Sequence, residues 1–239
     1  LAQLMLRFFH QRDELREEII ERAKTQDALR VALEESRRSE AETASLLGAS
    51  RAVLEHNDFQ AAARSILQLS IQLSGSAAGF IAELEAQEHN HANLRVTSYV
   101  LPFSPPAPPV MPLSGVYEEA YLTGTPCYRN DFSRDGQTGA LPLEHIAIEN
   151  ILCVPLLINR EPAALLVLAN KPSGFTDNDI RMASAFSELA SVALLNSRTL
   201  ESLEISEERF RSVVETARDA IISVNTNDRI IFWNRGAEL

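Results

Sequence analysis

Lys171 and Asp179 stand on either side of Gly174 and Phe175, in what reads as a strand-to-helix turn. An ammonium and a carboxylate so spaced can pair across the turn with Phe175 plugged beneath. Such a pair fixes the turn and touches no ligand by itself. The chain has two cysteines, Cys127 and Cys153. Neither lies in a C-x-x-C pair, and no disulfide framework is visible. Cys153 falls within an apolar run, where burial raises a thiol pKa and makes the group inert. Cys127 would have to act without a resolving partner. His145 has the chemistry to titrate near neutral pH or to bind a metal, but no second ligand is spaced to join it. His89 and His91, near Glu85 and Glu88, read as a solvated turn. His10 is not followed by the Glu-x-Arg-Thr-Pro pattern of a phosphoacceptor helix. No Gly-rich nucleotide loop or cyclase signature is present. These readings predict no catalytic residue, no metal and no cofactor.

The elements that position these groups follow from composition and period. The chain has 239 residues, 45% of them apolar, and a formal net charge of −11. That charge repels polyanions, so nucleic acid is not an expected partner. Residues 1–47 lack Pro and Gly and are dense in good helix formers. Phe8, Leu15, Ile19, Leu29 and Leu33 sit on a heptad grid that Arg22 and Gln26 interrupt, as in a weak coiled coil. Leu1 to Phe9 is mostly apolar and precedes Arg12, which fits the apolar stripe of a coiled coil or, as the alternative, the cytoplasmic end of a membrane helix. No apolar stretch reaches the 18 residues of a span.

Gly48 is expected to loosen the first helix. A second helix follows, capped by Asp58 and ended by Gly75. Ala78–Leu84 and Leu94–Leu101 read as a hairpin. Residues 102–112 hold six prolines and exclude helix or inner strand. Gly115–Leu122 reads as a short helix, Pro126–Asn130 as a short strand and Asp131–Ala147 as loop. Asn150–Ile158 and Ala163–Ala169 read as the two central strands of an antiparallel sheet. Thr176 or Asp177 caps a helix free of Gly and Pro up to about Ala217. Phe186, Leu189, Ala193, Asn196, Leu200, Leu203, Phe210 and Val214 hold one heptad register along it, broken at Glu207. At about 1.5 Å per residue it is too long to be buried throughout, so its second half must project.

Over residues 50–200 this order resembles a GAF domain. The runs that carry the resemblance are Asn150-Ile151-Leu152-Cys153-Val154-Pro155-Leu156, Leu166-Val167-Leu168-Ala169-Asn170-Lys171-Pro172 and Gly174-Phe175-Thr176-Asp177-Asn178-Asp179. It continues through Phe186-Ser187-Glu188-Leu189-Ala190 to Arg198. The resemblance implies an α+β fold: a six-stranded antiparallel sheet flanked by helices, with a ligand cavity under loops. Asn170, Lys171, Phe175 and Asp179 resemble a motif of cyclic-nucleotide-binding members, but Ile180 replaces the Glu that follows there. Bilin-binding members place a cysteine immediately before a histidine, whereas here Cys127 precedes Tyr128 and Cys153 precedes Val154. Ser206-Glu207-Glu208-Arg209-Phe210-Arg211, Asp219-Ala220-Ile221-Ile222 and Ile230 to Glu238 resemble the opening of a PAS sensor domain. A PAS domain needs about 100 residues to close its sheet, and the chain begins at Leu1, so it reads as an interior piece of a longer protein.

The resemblance implies a pocket walled by the Pro-rich loop, the short helix and the loop before residue 150. Phe103, Tyr117, Tyr121, Tyr128, Asn130, Asp131 and His145 lie there, an aromatic and polar set that suits a small organic ligand. The alternative is that they cap the sheet. The expected organisation is a signalling helix over 1–47, a GAF domain over 48–200, a helical linker over 201–217 and a PAS start over 218–239. The expected function is the cytoplasmic sensory region of a bacterial signalling protein, a histidine kinase before a diguanylate cyclase, acting as a homodimer through its N- and C-terminal helices. A membrane enters only if a transmembrane helix precedes Leu1. A ligand-free dimerisation scaffold is the rival, and a GAF-fold thiol reductase is disfavoured by the placement of the cysteines.

Overall fold

The computed structural model describes residues 2–56, 58–85, 92–101, 110–132 and 148–238, without the side chains of 2–20. The chain divides into two units, Leu1–Gly48 and Ala49–Leu239. In the first, α1 (Ala2–Glu55) begins, its exposed face laced by Arg30–Glu34 at 3.0 Å and Arg38–Glu42 at 3.2 Å. Leu29 and Leu33 of the expected seam are exposed in the single chain. Phe8, Leu15 and Ile19 lie outside the described side chains. Gly48 does not loosen α1, which runs on to Glu55. A mid-helix glycine costs about 1 kcal/mol, and burial of Ala49, Ala52 and Val53 just beyond it offsets that cost.

The second unit is built on one sheet. Its elements are α2 (Phe59–Ser74), β1 (Ala78–Glu85), β2 (Asn93–Val100), β3 (Val110–Pro112), α3 (Val116–Thr123), β4 (Cys127–Arg129), β5 (Ile151–Ile158), β6 (Glu161–Ala169), α4 (Asp177–Thr216), β7 (Ile222–Val224), β8 (Ile230–Trp233) and α5 (Arg235–Glu238). The Asp58 carboxylate accepts from the amides of Gln60 and Ala61 and starts α2, while Gly75 in the left-handed region ends it. The six strands run β3-β2-β1-β6-β5-β4, every pair antiparallel. The central pair is therefore β1–β6, not β5–β6 as the hairpin pattern predicts. β1 returns to lie against β6, and Gly79 permits it: a Cβ there would stand 2.8 Å from the Val167 carbonyl and 3.2 Å from the Ile71 side chain on α2.

Asn159 and Arg160, at φ 54° and 70°, make the two-residue turn from β5 to β6. β4 covers β5 only over Ile151–Cys153. Farther along, Pro155 brings no N–H, and its carbonyl accepts a 2.6 Å bond from the Ser187 hydroxyl of α4. The capping box at the start of α4 joins Thr176 to Asp179. Over its 40 residues, about 60 Å, burial up to Leu194 gives way to exposure. Leu200, Leu203 and Phe210 are open, Phe210 at 71%, until Val214 is covered again at 6%.

Candidate functional site

One face of the sheet carries an apolar cluster from β1, β2, β5 and β6, roofed by Val116, Tyr117 and Ala120 of α3 and joined by Phe132 and Ile148. Tyr117 packs its ring on Phe80 at a centroid separation of 6.0 Å and a tilt of 56°. Its hydroxyl is buried and has no partner among the described residues. Burial, and the neighbouring Cys153 thiol, push this phenol well above its ordinary pKa. Tyr121 packs against the same cluster from a half-buried position, its hydroxyl pushed up by burial and by Glu161 against the opposing pull of Arg198.

Of the other predicted pocket residues, the described ones do not join them. Tyr128 alternates with Cys127 along β4, and Cys127, not Tyr128, packs on the cluster. The Asn130 amide is engaged with Phe175, donating to its carbonyl at 3.0 Å and accepting from its N–H at 2.8 Å. Asp131 is exposed. Phe103 and His145 lie outside the described residues.

The turn around Phe175 is the most tightly held part of this region. Lys171 Nζ donates to both Asp179 oxygens at 2.7 Å. Burial alone would raise the Asp179 pKa, but Lys171 and the hydroxyl and N–H of Thr176 hold it below the ordinary carboxylate value. Sequence reasoning missed Asn150, whose side chain donates to the Lys171 carbonyl at 2.9 Å and accepts from its N–H at 2.8 Å. Asn170, at φ 57°, accepts from the Glu149 amide at 2.9 Å. Gly174 has φ 71°, and a Cβ there would stand 3.0 Å from Asn130 Oδ1. Three asparagine side chains thus fasten β4, the approach to β5 and the turn before α4 into one assembly. The only sequence signal was an asparagine at each end of the apolar strands.

A second knot lies at the far end of α4. Asn234 is wholly buried, and its amide nitrogen donates to the carbonyls of Val214 at 2.9 Å, Ala217 at 3.3 Å and Asp219 at 3.0 Å. Its oxygen accepts from the amides of Ile221 at 2.8 Å and Ala237 at 3.1 Å. The two cysteines, kept apart in the sequence reading, stand directly opposite each other on β4 and β5. On the other face of the sheet, a groove of about 420 Å³ runs between α4 and β5, lined by Val154, Leu157, Val192 and Leu195. Among the described residues there is no group of three or more metal-ligating side chains, and no helix is long and apolar enough to cross a membrane.

A family model described as GAF domain matches residues 56–195. The chain belongs to the GAF family. A PAS domain model matches residues 208–239. A comparison with curated proteins found no match. Among solved structures, the nlh2 GAF domain of A. aeolicus in an inactive state aligns at 14% identity and a TM-score of 0.52, over 66% of this chain and 97% of that one. The GAF domain of an Acinetobacter phosphoenolpyruvate-protein phosphotransferase aligns at 14% identity and a TM-score of 0.57, over 66% and 94%. A free methionine-R-sulfoxide reductase from Neisseria meningitidis, in complex with its substrate, aligns at 14% identity and 0.55, over 66% and 91%. At these identities the likeness is one of fold. The GAF match covers the sheet and the first half of α4, and α4 runs on without a break into the stretch matched as PAS.

Proposed function

We propose that this chain is the sensing and transmitting region of a signalling protein. The cluster face of the GAF sheet reads a small ligand or a change in α1, α4 carries the change, and the PAS start receives it. The observation that carries this reading is the continuity of α4. Its first half is buried under the sheet, and its last turn is tied by Asn234 to the PAS start. A rod held at both ends transmits rotation or sliding, and a weak seam admits two packings within a few kcal/mol. In the proposal α4 pairs with its twin in a homodimer, as α1 also does. Leu200, Leu203 and Phe210 of the heptad register form the seam, all exposed in the single chain. The output module is a histidine kinase in the first reading and a diguanylate cyclase in the second.

Sedimentation velocity of the full chain tests the pairing. The expected result is a dimer that Leu200→Glu with Leu203→Glu turns into a monomer with an unchanged circular dichroism spectrum and a melting temperature that no longer depends on protein concentration. A monomeric wild type ends the relay model. The burial of Tyr117 in the cluster favours a second reading, a transmitter without ligand. Native mass spectrometry separates the two: a retained small molecule supports sensing, and an empty protein across a metabolite screen supports the scaffold.

A further inference from the structure

The pairing of β4 with β5 sets Cys127 directly opposite Cys153. Opposed residues of an antiparallel pair have Cα atoms about 4.5–5.5 Å apart, inside the range of about 4.4–6.8 Å that a disulfide spans. Cys153 belongs to the apolar cluster and Cys127 packs against it, so both side chains stand on one face of the sheet. β4 is an edge strand of three residues, paired with β5 alone among the described strands. The Cys127 sulfur makes a weak 3.7 Å contact to the Val116 carbonyl. Cys153 is fully buried, whereas Cys127 is half-buried.

We propose that Cys127 and Cys153 are a redox pair, joined into a cross-strand disulfide when a hydroperoxide reaches Cys127. The inference is independent of any ligand on the cluster face. In the first step the Cys127 thiolate attacks one peroxide oxygen. The O–O bond breaks, Cys127 becomes a sulfenic acid, and the departing hydroxide takes up a proton. In the second step the Cys153 sulfur attacks the Cys127 sulfur, and the S–O bond breaks with release of water. Two thiols and one hydrogen peroxide give one disulfide and two waters. The new bond ties the edge strand to β5 and closes the chain between them into a ring. That ring holds Phe132 and Ile148 of the cluster and Asn130 and Asn150 of the turn.

The surroundings make the pair slow to react at neutral pH. Burial, then Glu119 of α3, push the Cys127 thiol up to about 11, with Arg129 of β4 pulling the other way. Facing it from β5 is Cys153, itself raised by burial and by Cys127 and adjoined by Tyr117. The thiolate is the nucleophile, so oxidation quickens with pH up to that value.

The test oxidises the reduced full chain with hydrogen peroxide in native buffer at pH 7, 8 and 9, then traps free thiols with N-ethylmaleimide for intact-mass and peptide analysis. The expected product is a monomer that has lost two hydrogens, takes up no maleimide and yields a Cys127–Cys153 linked peptide. Its rate rises roughly tenfold per pH unit. Cys127→Ser should leave Cys153 unoxidised. The proposal is overturned if Cys127 proceeds to sulfinic acid with Cys153 still a thiol. It is equally overturned if the link forms only in denaturant, or if Cys153 of the variant oxidises as fast as in the wild type.

Discussion

The Lys171–Asp179 pair shows how two side chains serve a site without entering it. Both are largely buried, Asp179 at 2% exposure, and the carboxylate also accepts from Thr176. Asp179→Asn leaves a buried ammonium without its counter-charge, a loss of about 3 kcal/mol and a fall of roughly 10 °C in melting temperature. The pH dependence has a definite sign. The folded carboxyl titrates below its unfolded value of about 3.9, so its stabilisation is present above that value and lost as pH falls through the folded one. Thermal melts should therefore show the gap between wild type and variant narrowing below pH about 4. Tyr117→Phe tests the opposite case. It removes a buried hydroxyl that has no partner among the described residues, so stability should hold or rise by about 1 kcal/mol. A drop on differential scanning calorimetry would mean that this hydroxyl is satisfied in solution.

Among the elements, α4 owes its two characters to its ends. The first half packs on β5 and α2, and the last turn owes its cover to the PAS start, where Val214 is buried and Asn234 gathers three carbonyls. Asn234→Ala strips that joint. Hydrogen exchange should quicken at the Ile221 and Ala237 amides and through β7 and β8, while β5 and β6 stay protected. Uniform quickening across the sheet would place Asn234 in the stability of the whole unit instead. Much of this layout was readable along the chain, because caps and periods are local: Asp58 and Gly75 bound α2, and Thr176 opens α4. What could not be read depends on contacts between distant segments. The order β1-β6-β5 rests on Gly79 lying against β6. The facing of Cys127 and Cys153 rests on a register set across a long connection. Asn130 reads as a pocket residue from its position, yet its amide is committed to Phe175, 45 positions away.

For the molecule as a whole, charge and apolar surface act in opposite senses. A net charge of −11 per chain opposes self-association, and the exposed apolar stripe of α4 favours it. If α4 pairs as proposed, dimerisation should strengthen as sodium chloride rises from about 0.01 to about 0.15 M, because screening lowers the repulsion and leaves the seam intact. Sedimentation equilibrium reads this directly, and weakening with salt would mean that ion pairs hold the dimer. Pro155 matters at the same scale. Past Cys153, β5 has no partner strand on its outer side among the described residues, the kind of border on which sheets recruit one another into fibrils. A proline with no N–H, and a carbonyl already occupied by Ser187, withhold donor and acceptor there together. Pro155 and Ser187 together therefore guard this border against joining another sheet.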